Sequence, residues 1–277
     1  MSDPVAGLGR GDGSVADEGG TTRPGRRRRR RLLRILRVLG LTLVAVLVLG
    51  TGAFLLWAND TFAADPAALA VVTDDPRVEL EHRDGVVVMT PTGESDGVGL
   101  VFLAGAKVDA DAYAATFREA VARGTTVVIV QPFLNLAILE RRPLSAFTDE
   151  APDVESWAVG GHSMGGVKAC SYAEDDGVDA LVLLASYCSL GDLSDRTDLT
   201  ALSVSGTADG LVSVADLDGS MPLMPADTTR VRLDGVSHAQ FGAYGDQPGD
   251  GTPSVSDDEA RVLVDEALLP VLVPSGG

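Results

Sequence analysis

From residue 76 onward the chain alternates short apolar runs with stretches of helical spacing. RVELEH (77–82) and VVVMT (86–90) flank Asp84-Gly85, a dipeptide that favours the tight turn of a β-hairpin. VGLVFL (98–103), TTVVIV (125–130), WAVGG (157–161), VDALVLLAS (178–186) and LTALSVSG (199–206) are apolar or β-branched runs of strand length. Such unbroken runs suit strands buried on both faces. Between them, residues 109–123 set Tyr113, Phe117, Ala120 and Val121 at helical spacing, and a second helix is expected from Met164 to about Glu174. TTRVRLDG (228–235) alternates and reads as an edge strand. Ser256 followed by Asp257, Asp258 and Glu259 reads as an N-cap with acids on the first turn of a final helix, ending near Leu269. Strands alternating with helices predict an α/β fold: a mostly parallel sheet with helices on both faces. Such sheets place their sites at the carboxyl ends of the strands.

A different pattern precedes this body. Residues 38–58, VLGLTLVAVLVLGTGAFLLWA, carry no charge over a length close to the ~20 residues that cross a bilayer core as a helix. RRRRRRLLRILR (26–37) lies just before, and Trp57, Asn59 and Asp60 close the far end. Positive flanks stay in the cytoplasm, so the expectation is a single-pass helix in the cell membrane, with a cytoplasmic N-terminus, an extracytoplasmic body and Trp57 at the outer interface. A cleaved leader is the alternative; its apolar region is usually shorter, about 7–15 residues, and Thr61-Phe62-Ala63 is a poor cleavage site. The division expected is a disordered, arginine-rich segment 1–37, the membrane helix 38–58, a linker 59–75, a folded domain 76–270 and a tail 271–277.

Charge sharpens this division. Residues 1–40 hold ten arginines against four acids, and the rest holds twelve Lys/Arg against thirty-six Asp/Glu, for a net charge of −18. An acidic body without a basic stripe repels a phosphate backbone, which argues against nucleic-acid binding. Export permits a disulfide between Cys170 and Cys188. Their expected places, two turns along one helix and beyond the far end of a neighbouring strand, point instead to two unpaired, packed thiols.

The candidate chemistry gathers around VGGHSMGG (159–166). Here Gly161-His162-Ser163-Met164-Gly165 follows a strand and opens a helix, the context in which G-x-S-x-G presents a nucleophilic serine on a strained turn. A serine hydroxyl needs a base. Of three histidines, His162 adjoins Ser163 and cannot aim its ring at that hydroxyl, and His82 ends the first strand as a surface or packing residue. His238, in GVSHAQFG after the last strand, remains. Asp209, in GTADG after LTALSVSG, is the acid expected to orient it, with Asp192 and Asp195 as runners-up. Two backbone N–H groups are expected to bind an oxyanion: that of Met164, next after the serine, and that of Ala106 in the Ala104-Gly105-Ala106-Lys107 loop. Lys107 itself is expected to be solvated. Only about thirteen residues (186–198) separate two strands where a cap would be inserted, too few for a lid domain. The sequence offers no metal cluster and no phosphate-cradling loop, so neither metal nor cofactor is expected.

FLAGAKVDADAYAATFREAVARG, WAVGGHSMGG, LVLLASYCS, SGTADGLVS and GVSHAQFGAYG together resemble the small, dienelactone-hydrolase-like α/β-hydrolase-5 type domain, over residues 78–270. The resemblance implies the α/β-hydrolase fold and the triad Ser163, Asp209 and His238; Cys188 stands where that family would have proline. The resemblance does not supply a substrate; the expectation is a serine hydrolase that cleaves a small-molecule or lipid ester through an acyl-enzyme. Two alternatives stay open: a cell-envelope acyltransferase with the same mechanism, and a non-catalytic binding module on a hydrolase scaffold.

Overall fold

The run TVVIV has no polar side to offer water, and it lies inside an eight-stranded sheet with every residue buried. The computed structural model describes residues 24–273. Its strands are β1 (Val78–Arg83), β2 (Val86–Pro91), β3 (Val98–Leu103), β4 (Thr126–Val130), β5 (Ser156–His162), β6 (Val178–Leu184), β7 (Thr200–Gly206) and β8 (Thr229–Leu233). They are ordered β1-β2-β4-β3-β5-β6-β7-β8. β1 and β2 form the expected hairpin, β2 pairs antiparallel with β4, and all remaining neighbours are parallel. Each expected strand is present. The two edges carry charge: Glu79, Glu81 and Arg83 are exposed or half-buried on β1, and Arg230 and Arg232 are exposed on β8. Charged edges of this kind discourage pairing with another chain.

Period-two alternation divides the core between the faces of the sheet. Leu100 and Phe102 pack with Met89, Ile129 and Leu184 beneath α2 (Pro66–Thr73), α3 (Ala114–Ala122) and α7 (Asp257–Leu272). Val101 and Leu103 pack with Val128, Val159 and Leu183 on the other face, against α5 (Met164–Tyr172) and Phe147 of the short α4 (Ser145–Thr148). A further short helix, α6 (Val214–Ser220), follows β7. Between β6 and β7 there is no helix or strand, so no lid covers the strand ends.

Three boundaries differ from the sequence reading. The stretch 59–75 is not a bare linker: Phe62 bridges to Val108, Asp65 caps α2, and Val72 is fully buried. The last helix runs on to Leu272, whose carbonyl accepts from the Thr125 hydroxyl at 2.8 Å, so the body extends beyond residue 270. Arg26–Arg37 are helical rather than disordered, because α1 spans Pro24–Ala58. Residues 1–23 and 274–277 lie outside the described residues.

Cys170 and Cys188 are joined in a disulfide, which overturns the expectation of two free thiols. The physical reason lies in the chain after β6. It does not continue outward but folds back over α5, where Gly191, at φ +94°, meets the Cys170 carbonyl.

The chain divides into two compact units, Met1–Ala53 and Phe54–Gly277. The described part of the first is α1 up to Ala53. Within Arg28–Ala58 of α1, the most apolar stretch of 18 residues has a mean hydropathy of 2.4 and none of it is buried. α1 is one helix long and apolar enough to span a membrane.

Candidate active site

β5 runs straight into Ser163, whose backbone takes φ 52° and ψ −122° before α5 begins. A positive φ is costly for a residue with a Cβ, so something must hold it there. The Ser163 N–H donates to the Leu184 carbonyl at 3.0 Å, and its own carbonyl accepts from Gly166 N–H at 3.1 Å and from Ser186 Oγ at 2.6 Å. The turn closes only because its flanks lack side chains. A Cβ on Gly161 would collide with the Gly165 backbone, and one on Gly165 with the Leu103 carbonyl. Ser163 thus stands half-buried at the N-terminus of α5, at the carboxyl edge of the sheet.

Asp209 follows β7 and His238 follows β8, the two neighbouring strands at the same edge. Asp209 Oδ1 accepts the N–H groups of Leu211 and Val212, each at 2.8 Å, which fixes the carboxylate and leaves Oδ2 to face His238 Nδ1 at 2.9 Å. The two side chains are 2% and 1% exposed, so the pair is shielded from water. With Nδ1–H held by the acid, Nε2 is the nitrogen able to accept a proton. It is buried, and among the described residues it is the one buried side-chain polar atom without a partner. The structure therefore brings Asp209 and His238 together, while no hydrogen bond joins Ser163 Oγ to His238. Such bonds are often loose in unliganded enzymes and tighten around substrate.

The remaining expected residues fall as follows. Met164 opens α5, and Ala106 lies in the loop after β3. Both N–H groups are free of intramolecular acceptors among the described residues. Asp192 and Asp195 are exposed in the disulfide-bridged loop and do not reach His238; Asp192 accepts from Ser194 instead. His82 is exposed and pairs with Asp111 at 2.8 Å. Lys107 is not solvated as expected. Its ammonium lies 4.8 Å over the Trp57 ring, and its side chain is only 14% exposed.

Sequence reasoning set His162 aside as a base and missed what it does. Its Nε2–H donates to the His238 carbonyl at 3.1 Å, so Nδ1 is the acceptor for the Tyr113 hydroxyl at 2.9 Å. That hydroxyl in turn accepts the Gly105 N–H at 3.0 Å. Burial, and secondarily the proximity of His238, holds the His162 imidazole well below its usual range, so it stays neutral and keeps this tautomer. The link runs from the loop bearing Ala106, through Tyr113 and His162, to the backbone of His238. Asp250 was also missed. Its carboxylate accepts N–H groups from Gly210, His238, Ala239 and Gly251.

A mostly parallel sheet of this order, with a half-buried serine on a strand-to-helix turn and no lid, defines a member of the α/β-hydrolase class. Residues 99–262, more than half of the chain, match the model of the alpha/beta hydrolase family, and the protein belongs to that family. Comparison with curated proteins gives no match. Among solved structures, the chain is similar to XC6422 from Xanthomonas campestris, described as a member of a/b serine hydrolase without lid. The two share 14% identity over 73% of this chain and 98% of that one, with a TM-score of 0.49.

Proposed function

We propose that this protein is a membrane-anchored, extracytoplasmic serine hydrolase that cleaves carboxylic esters through an acyl-enzyme. The observation that carries the reading is the shielded Asp209–His238 pair, whose only free nitrogen, Nε2, is buried and unpartnered at the edge of the sheet that presents Ser163. A buried polar atom without a partner is costly, and such atoms concentrate where a reaction needs them.

In the proposed cycle, Ser163 Oγ attacks the ester carbonyl carbon and its proton passes to His238 Nε2. Asp209 holds the imidazole in the required tautomer and stabilises the cation that forms. The carbonyl oxygen becomes an oxyanion and accepts from the N–H groups of Ala106 and Met164, aided by the α5 N-terminus. The tetrahedral centre collapses, the C–O bond to the alcohol breaks, and Nε2–H protonates the departing alkoxide. Water, deprotonated by His238, then attacks the acyl-serine. A second collapse releases the acid and returns the proton to Ser163.

Two features support the exported placement: α1 has the length and hydropathy of a membrane span, and the Cys170–Cys188 disulfide suits an oxidising compartment. The test is turnover of p-nitrophenyl esters by the full-length chain in detergent. A burst equal to the enzyme concentration, followed by slower steady turnover, marks the acyl-enzyme. Ser163→Ala is expected to abolish both phases. Hydrolysis that persists in Ser163→Ala overturns the proposal.

A further inference from the structure

Asp209 meets His238 only if two separate loops arrive in register, one after β7 and one after β8. The loop that follows carries a carboxylate bonded to both. Asp250 Oδ1 accepts the Gly210 N–H at 3.0 Å and the His238 N–H at 3.1 Å. The same oxygen accepts from its own neighbour, Gly251, at 2.7 Å, and Oδ2 accepts the Ala239 N–H at 2.8 Å. Gly210 adjoins the acid, while His238 and Ala239 are the base and its next residue. We propose that Asp250 is a positioning residue, whose carboxylate holds the acid loop and the base loop together so that Asp209 Oδ2 meets His238 Nδ1. This role rests on the assignment of Asp209 and His238 given above.

The chemistry calls for a carboxylate. Four N–H donors converge on two oxygens, and an amide would turn an NH2 group toward one of them. Burial pushes the Asp250 carboxyl up, but the N–H groups of Gly210, Ala239, His238 and Gly251 outweigh it and leave the group lowered and ionised. Its removal would strand backbone donors on both loops, each then lacking a partner at the rim of the site. No part of Asp250 is assigned to touch substrate. It acts through His238, so its loss should appear in the chemical step: a misplacement of about 1 Å costs on the order of 10²-fold in rate.

The experiment compares wild type, Asp250→Ala and Asp250→Asn as full-length protein in detergent, each also in a His238→Ala background. Readouts are kcat and KM for p-nitrophenyl acetate, melting temperature, and the far-downfield imidazole N–H proton resonance. For Asp250→Ala, kcat is expected to fall about 10²-fold with little change in KM, and the downfield resonance to broaden or vanish. Asp250→Asn, which keeps an oxygen for Gly210, His238 and Gly251, is expected to fall in between. In the His238→Ala background, Asp250→Ala should leave the residual rate unchanged. Wild-type kcat and an unaltered resonance in Asp250→Ala would overturn the proposal, as would an equal loss of rate with and without His238. If Asp250→Ala does not fold, Asp250→Asn decides: a lowered kcat at native melting temperature supports the role, and wild-type kcat refutes it. Failure of the serine hydrolase reading is separately visible, because Ser163→Ala would then turn over normally while the resonance still responded to Asp250.

Discussion

At residue 163 a serine is kept at φ 52°, a region that side chains avoid, by hydrogen bonds through its backbone N–H and carbonyl and by two nearby glycines that have no side chains. Gly165→Ala tests that construction. Its Cβ would collide with the Leu103 carbonyl, which is backbone and cannot rotate away, so the variant is expected to lose about 1–3 kcal/mol in thermal or urea unfolding along with esterase activity. A fully active, equally stable Gly165→Ala would refute the strained turn. Asp209→Asn leaves the shape intact but no longer favours Nδ1–H, so kcat for p-nitrophenyl esters is expected to fall about 10⁴-fold; Asp192→Asn should leave it unchanged. Ser163, Asp209 and His238 could be singled out in the sequence because each follows a recognisable apolar run, in the chain order Ser…Asp…His. Asp250 could not. It lies in QPGDGTP, where an aspartate between glycines reads as a turn, and its four donors come from residues up to forty positions away.

At the scale of the element, α7 begins with a full capping box, Ser256 and Glu259 each bonding the other's backbone N–H, as the sequence led one to expect for the cap. Farther along, Asp265 faces a mixed set of charges: Glu119 and Arg118 from α3, Arg123 at the C-cap of α3, and Arg261 from its own helix. Burial first, and then Glu119, pushes its carboxyl from the ordinary 3.8 up to about 7, against the opposing pull of the arginines. The folded chain therefore holds this proton more tightly than the unfolded chain does. Stability falls as pH rises through 3.8, well below which both states are protonated, to about 7, above which the penalty is complete. Asp265→Asn should raise the melting temperature above pH 7 and leave it unchanged well below pH 3.8; a variant that is less stable at pH 8 would contradict this. The strands were legible because β-branched runs such as TVVIV have one reading. The short helices α2, α4 and α6 were not, since four to eight residues give too few turns for an apolar stripe to show.

For the molecule as a whole, the disulfide and the apolar helix bear on where the protein works. Cys170 and Cys188 close a loop of 18 residues, and cross-links over loops of this size contribute about 3 kcal/mol. The double variant Cys170→Ala/Cys188→Ala should unfold at lower urea concentration than the oxidised protein. Reductant should lower the wild type to match and leave the variant alone; insensitivity of the wild type would contradict the bridge. The bridge escaped sequence reasoning because the return of the chain over α5 is set by packing around Gly191, not by any local pattern. In intact cells, added protease should degrade the body and spare the arginine-rich end, and a body protected until lysis would contradict the proposed topology.

The central claim is that Ser163 is a nucleophile activated by His238. It is tested most directly by treating the full-length protein with a fluorophosphonate and mapping the adduct by mass spectrometry. A single adduct on Ser163 is expected, with none in Ser163→Ala, a strongly slowed reaction in His238→Ala and an unchanged one in His82→Ala. An adduct on another residue, or equal labelling of wild type and Ser163→Ala, would contradict it.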